Sequence, residues 1–391
     1  MKAQTGSSIA PDPIAAGQEA ALKASTGLTD VKIAFVYSGV QYDQKALLAG
    51  ISKELPGVPL IGNTSFTGVI TSEGFISSDN GFVGILALAG DDLAVGVASS
   101  PKQQDARTTG QNVALDALAA AGKSTDGKIV PPDLFYMVAP PGEEEFYLKG
   151  IEDVIGRIPL FGGSAADNAI VGEWLVFEGE AVFADGVAVA FIYTDGPFAN
   201  VFTGAYKESK NVGVITKVKD NRVLEEIDGI PALERYAEWT DQNPEDLLGA
   251  NLLVATITAP LGVKDRLGDL IAIRHPMNGN DDHSMNIGAN LAEGTAVIQM
   301  EGSVDELIVS AGETVSEVID KLGSTPAALH LVHCGGRRAG IAERVDELVA
   351  EVKKAAGDIP FIVEFTFGEY GYEDDGNNTT GGLMLSYTAL G

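Results

Sequence analysis

Apolar and polar positions along this chain fall into blocks that return in the same order. Val31 to Tyr37 is an apolar, β-branched and aromatic run, broken only by Lys32 and ending at Ser38-Gly39, which predicts a strand. From about Gln41 to Glu54, Leu47, Leu48, Ile51 and Leu55 share one face at helical spacing. A Pro-led apolar run from Pro59 then ends in the polar turn Asn63-Thr64-Ser65. Val69 to Ile76 and Gly81 to Ala89 read as a strand pair around Ser78-Asp79-Asn80-Gly81, and Leu93 to Ser99 as a further strand.

The block recurs twice. Asp133 to Ala139 leads into Pro140-Pro141-Gly142 and a helix from Glu143 to Ile155. A run from Pro159 follows, then the turn Ser164 to Asn168 and strands at Glu173–Phe177, Ala181–Phe183 and Gly186–Tyr193. In the third copy Ala328 to Val332 arrives at Cys334, followed by Gly335-Gly336-Arg337-Arg338. Ile341, Val345, Leu348, Val349 and Val352 then share a helical face, and a run from Pro360 ends in Phe367-Gly368-Glu369. Three copies of strand, turn, helix and Pro-led strand, closed by hairpins, predict structural repetition.

The remaining pattern predicts a loose tail over residues 1–12, a helix from Pro13 to Thr26 and another from Thr109 to Ala121. Between the second and third copies lies a different segment. It reads as a hairpin (Gly213–Val218 with Arg222–Ile227), a helix from Pro231 to about Trp239, and a strand over Ala250 to Ile257. Leu270–Arg274 and Ala296–Met300 read as strands around a polar loop from Asn278 to Asn286. A long helix from Ser303 to Leu322 opens on a Ser303/Glu306 capping box. The expected fold is α/β (mixed α+β): repeated strand–helix–strand–hairpin units forming two sheet-containing halves around a shared pocket. The expected division is a tail and helix over 1–27, an N-terminal region over 28–208 and a C-terminal region over 209–391.

Charge narrows the partners. The 391 residues carry 26 Lys and Arg against 55 Asp and Glu, a net charge of −29. Such a surface repels phosphate backbones and anionic lipid, so neither nucleic acid nor a membrane is expected as partner. One cysteine excludes an internal disulfide and a multi-Cys zinc site. The N-terminal stretch lacks the continuous apolar core of a secretion signal, and no run reaches the length of a membrane span, so a cytoplasmic location is expected.

Candidate chemistry concentrates at strand ends, where α/β sheets place ligands. Backbone N–H groups after Gly336 would form an anion site at a helix start. Arg337 and Arg274 can clamp a carboxylate, against a competing reading as surface ion pairs. Asp167 and Glu369 can receive an ammonium group, or serve only their turns. Asn63, Ser65 and Ser164 can supply uncharged hydrogen bonds. Cys334 is a ligand contact or an activated thiol, its pKa lowered by the helix start and the arginines, or else a small core residue. Of the four histidines, His275, His283, His330 and His333, no pair has the i, i+4 spacing of a zinc site. The acidic stretches Asp281-Asp282 and Glu373-Asp374-Asp375 read as solvated loops rather than cation sites. No nucleophile–base triad, metal motif or nucleotide loop points to an enzyme.

The order of six pieces resembles the FIST sensory family. They are Pro59-Leu-Ile-Gly-Asn-Thr-Ser, Pro159-Leu-Phe-Gly-Gly-Ser-Ala-Ala-Asp, Val223-Leu-Glu-Glu-Ile-Asp-Gly-Ile-Pro-Ala, Ile273-Arg274-His275-Pro276, Cys334-Gly-Gly-Arg337, and Phe367-Gly368-Glu369 with Asn378-Asn-Thr. Glu364 departs from the pattern, which has glycine at that place. The resemblance implies a sensory protein binding a small ligand such as an amino acid. It would signal through a separate protein, a kinase or chemoreceptor, because no output module is present. On this reading Arg337 meets a carboxylate and Asp167 or Glu369 an ammonium. The resemblance also implies an alternative, a haem-based nitric oxide sensor, for which His333 and His275 are the candidate axial ligands of haem b.

Overall fold

The structure, a computed structural model, describes residues 1–125, 127–264, 270–372 and 377–391. Its scaffold is one supersecondary unit used three times. The first unit runs β1 (Lys2–Ser8), α1 (Pro13–Ser25), β2 (Val31–Ser38), α2 (Gln44–Glu54), β3 (Leu60–Thr64), the hairpin β4 (Val69–Thr71) and β5 (Gly74–Ile76), and β6 (Val83–Ala89). The second runs β7 (Leu93–Pro101), α3 (Ala106–Ala120), a two-residue ladder β8 (Ser124–Thr125) with β9 (Lys128–Ile129), β10 (Leu134–Ala139) and α4 (Glu144–Ile155). It continues through β11 (Leu160–Ser164), the hairpin β12 (Val176–Glu178) and β13 (Ala181–Phe183), and β14 (Gly186–Thr194).

The third unit begins with β15 (Phe198–Thr203) and is then interrupted by an insert. The insert comprises β16 (Lys207–Lys219), β17 (Val223–Ile227), β18 (Ile230–Pro231), α5 (Ala232–Thr240), α6 (Asn251–Ala255), β19 (Leu261–Lys264), β20 (Ile271–Arg274), β21 (Pro276–Gly279), β22 (Met285–Ile287) and β23 (Ala296–Glu301). The unit resumes with α7 (Val304–Leu322), β24 (Ala328–Cys334), α8 (Gly335–Ile341), α9 (Val345–Ala356) and β25 (Phe361–Thr366). It closes with the hairpin β26 (Glu369–Gly371) and β27 (Thr379–Gly381), and β28 (Leu385–Leu390).

In each unit the expected strand and the Pro-led run pair in parallel: β2 with β3, β10 with β11, β24 with β25. The helix between them supplies the crossover that a parallel pair needs. The hairpins, however, do not close their own units. Unit one gives β4 and β5 to the sheet β15-β28-β24-β25-β4-β5; unit two gives β12 and β13 to β1-β6-β2-β3-β12-β13; unit three gives β26 and β27 to β7-β14-β10-β11-β26-β27. The exchange is cyclic, so each sheet is completed by a neighbour and the units cannot separate without losing strand pairs. Where the three sheets face one another they bury Phe35, Leu86, Tyr136, Phe161, Ala188, Ile362 and Leu390 in a shared core. The helices α1/α2, α3/α4 and α7/α9 cover the outer faces, burying Leu47, Ile51, Val113, Ile151, Val315 and Leu348.

Several expectations change. Residues 1–12 are not a loose tail: Lys2 to Ser8 pair residue by residue with Ala89 to Val83. The expected pair of Val69–Ile76 with Gly81–Ala89 does not form; β4 and β5 fold on each other, and β6 pairs with β1 and β2. The apolar run at Ala250 to Ile257 is helical over Asn251–Ala255, since a short apolar run carries no period that separates strand from helix. The capping box on α7 is present, with both Ser303 and Glu306 bonding reciprocally. The acidic run Glu373-Asp374-Asp375 lies outside the described residues. No helix of the described residues is long and apolar enough to cross a membrane.

Candidate functional site

A small cavity of about 40 Å³ opens where the insert meets the three units. Phe66 reaches it from the chain after β3 and Ile170 from the loop after β11. Leu253, His275, Met277 and Gly288 come from the insert, and Cys334, Gly335, Gly336, Ala339, Phe367 and Gly382 from the third unit. The turn at the end of β24 explains the opening. A Cβ on Gly336 would meet Leu383 Cδ2 at 2.7 Å, His275 Cε1 at 3.4 Å and Cys334 Sγ at 3.5 Å. Glycine therefore leaves a niche that a thiol and an imidazole both border.

Both polar groups are neutral at physiological pH. Burial pushes the Cys334 thiol up, and the Glu369 carboxylate adds to the shift; backbone N–H groups, including those of Gly336 and Leu383, oppose it without winning. Cys334 is thus not the activated thiol expected from its place before a helix and two arginines. Its sulfur accepts from Gly336 N at 3.3 Å and Leu383 N at 3.0 Å. Burial likewise lowers His275 to about 4, and its Nε2 lies 3.2 Å from the Leu253 carbonyl.

The other expected ligand contacts are engaged by the protein itself. Arg337 is fully buried, and its guanidinium donates to Gly204 O (2.6 Å), Leu383 O (3.4 Å), Leu307 O (3.1 Å) and Ser310 Oγ (2.6 Å). It ties β15, α7 and β28 together and does not line the cavity. Arg274 donates to Asn290 O at 3.1 Å and Thr380 O at 2.8 Å. Asp167 accepts from the backbone of Ala169, Val171, Gly172 and Glu173 at 2.8–3.2 Å. That closed loop holds Ile170 at φ +58, a conformation β-branched residues disfavour, and carries it to the cavity mouth.

Glu369 is fully buried; it accepts from Thr366 Oγ1 (2.8 Å) and Met384 N (2.9 Å), and burial raises its pKa to about 8. Ser164 donates to Glu144 and sits 2.8 Å from Tyr370 OH; Ser65 bridges Gly68 O and Phe365 N; Asn63 bonds Tyr136 OH and Thr64 O. The structure thus brings only Cys334 and His275, of all the expected residues, into the cavity wall.

Glu364 is elsewhere, at the centre of the shared core. Its Oε1 accepts from Tyr136 OH at 3.4 Å, Oε2 has no partner, and burial raises the carboxyl to about 8. His330 lies 3.9 Å away but is lowered to about 3 by burial, so at pH 7 both groups are neutral and form no ion pair. In register Glu364 faces Val332, as Asn63 faces Tyr37 and Gly163 faces Val138. It occupies one repeated position rather than the ligand pocket.

A haem does not fit these residues. His333 is fully buried, does not line the cavity and bonds Tyr387 OH at 2.8 Å, while the cavity beside His275 is far smaller than a macrocycle. Among the described residues no group of three or more His, Cys, Asp or Glu side chains is placed for a metal ion.

The sequence reading missed a buried charge network. Arg222 Nη2 bonds Glu144 (2.7 Å) and Glu145 (2.6 Å), Nη1 donates to Gly288 O, and Glu145 also accepts from Asn290 N and Thr380 Oγ1. It locks the insert onto the start of α4 and onto β27, and it bonds the cavity wall directly at Gly288. The signal was the three glutamates Glu143–Glu145, which helix-dipole preference alone accounts for too easily.

The repeated units, with an insert closing a small cavity between them, define a mixed α/β protein. The chain belongs to the FIST family: the FIST N domain matches residues 32–230 and the FIST C domain residues 232–372. FIST domains are sensory domains. No curated protein matches the chain in sequence. Similarity to solved structures is low but spans the chain. A cyanuric acid hydrolase from A. caulinodans is 9% identical at TM-score 0.41, over 100% of this chain and 98% of that one. A second cyanuric acid hydrolase, described as evolutionary innovation by structural concatenation, is 9% identical at TM-score 0.40, over 100% and 99%.

Proposed function

We propose that this chain is a sensor that reversibly binds a small uncharged molecule in the cavity between its FIST N and FIST C regions. The observation that carries this is the cavity wall. Phe66 and Ile170 come from the first region, Leu253, His275, Met277, Cys334 and Phe367 from the second, so an occupant touches both. A ligand that favours one arrangement of the two regions shifts the population toward it. A separate signalling protein, such as a kinase or chemoreceptor, would read the shift, and a cytoplasmic location suits that role.

The ligand chemistry differs from the amino acid expected from the sequence. Arg337 and Asp167 are engaged by backbone groups, so a zwitterion would bring two charges into an apolar cavity without partners, which is costly. Binding is also favoured over catalysis, because the thiol is held neutral. A thermal-shift screen that pairs small neutral compounds with amino acids tests the reading. Neutral compounds should raise Tm in the wild type and lose that effect in Gly336→Ala, whose added methyl enters the niche against a flexible leucine tip. Stabilisation by amino acids alone, or equal stabilisation of both proteins, contradicts it.

A further inference from the structure

We infer that the cavity selects by size and polarity, taking compact apolar molecules of about two to four heavy atoms. The inference rests on the proposed binding function and adds the chemical class of the ligand. Size gives the first bound. The cavity holds about 40 Å³. One water needs about 10–15 Å³ of such space, which sets the upper end at about three or four heavy atoms. An apolar cavity of about 150 Å³ takes one benzene ring, which sets the lower end at about two. Xenon, ethane and propane lie inside these bounds; an amino acid or an aromatic ring lies outside them. A carbon at the Gly336 Cβ position already meets Leu383 Cδ2 at 2.7 Å, so the glycine niche adds depth for a single small group and no room for a ring.

The wall gives the second bound. Phe66, Ile170, Leu253, Met277, Ala339 and Phe367 present only carbon and one thioether. Polar groups beside them are bonded within the protein. Cys334 Sγ accepts from Gly336 N and Leu383 N, and His275 Nε2 bonds Leu253 O. Gly288 N donates to His275 O, Gly382 N donates to Ile273 O, and Gly288 O accepts from Arg222 Nη1. A ligand hydroxyl would give up water and then compete with these bonds, which weakens binding by about tenfold or more. An apolar molecule of the same size gives up nothing on entry and gains contact with the rings and the thioether.

A series on the intact chain tests both bounds: xenon, propane, ethanol and benzene, each titrated against protein carrying methyl-labelled methionine. Met277 in the wall is the reporter. Xenon and propane should move its methyl resonance in a concentration-dependent way. Ethanol, equal to propane in heavy atoms, should need at least about tenfold more free ligand for the same shift. Benzene should leave the resonance in place in the wild type and move it in Phe66→Ala, which removes a ring from the wall. Benzene acting on the wild type as strongly as propane, or ethanol matching propane, overturns the inference while leaving a binding cavity in place. A Met277 resonance unmoved by all four also overturns it, and the thermal-shift screen then decides the binding reading on its own.

Discussion

Replacing Glu364 by glutamine exposes how the centre of the fold is built. The carboxyl is fully buried between Tyr136 and Asn63, and its pKa stands at about 8 against an ordinary 4.5. The folded state therefore keeps a proton that the unfolded chain releases near pH 4.5. Between those values the unfolded state binds fewer protons, so stability falls as pH rises and levels off above about pH 8. Each unit of pH inside the window is worth about 1.4 kcal/mol. By pH 7 the single carboxyl costs about 3 kcal/mol relative to pH 4.5, as an order of magnitude. Glutamine keeps the shape and the acceptor for Tyr136 but does not titrate. Urea unfolding at pH 5, 6, 7 and 8 measures the difference. Glu364→Gln should match the wild type near pH 5 and become progressively more stable, by about 3 kcal/mol at pH 7. Glu369, raised for the same reason, keeps the variant from becoming pH-independent. A difference that stays constant with pH would refute the argument, because it would mean that Glu364 ionises in the fold as it does in water.

Three further outcomes follow from the placement of the other groups. Arg337→Met should lower stability by about 3 kcal/mol or more in denaturant unfolding, since it strips donors from three carbonyls and a hydroxyl; an unchanged midpoint contradicts the structural role. Asp167→Ala orphans the backbone N–H groups of the loop that carries Ile170. It should cost about 1–3 kcal/mol and raise amide exchange over 168–173 while leaving exchange in β24 unaltered. Cys334, the only cysteine, should react with a thiol-specific reagent far more slowly in the native protein than in denaturant at the same pH, and a native rate matching the denatured one would show an accessible, activated thiol.

Much of the scaffold is legible in the chain because each parallel pair announces itself locally. An apolar run, a helical face and a Pro-led apolar run must lie side by side, whichever unit they belong to. The hairpins are a different matter. Val69 to Thr71 carry β character but nothing that names Ile362 to Glu364 as partner, a pairing nearly three hundred residues distant. β1 hides because Lys2 to Ser8 are small and polar; its strand form comes from the ladder to β6. Charged residues were the hardest to place. Arg337 and Asp167 look like ligand-binding groups from their types and their glycine neighbours, yet each satisfies backbone that would otherwise be buried unpaired. Cys334 and His275 were legible as candidates, but their neutrality depends on burial, which no local pattern shows. The apolar wall of Phe66, Leu253, Met277 and Phe367 gave no signal beyond lying beside the family's motifs.

The central claim is that a small molecule binds between the two regions, and one residue reports on it directly. The chain has six methionines, and Met277 lies in the cavity wall. With methyl-labelled methionine, titration of any compound that raises Tm should move the Met277 methyl resonance saturably, with the same Kd as calorimetry, and leave Met137, buried on the far side of the second unit's sheet under its helices, in place. A stabilising compound that leaves Met277 unmoved while shifting methionines elsewhere would put the ligand outside this cavity and contradict the account.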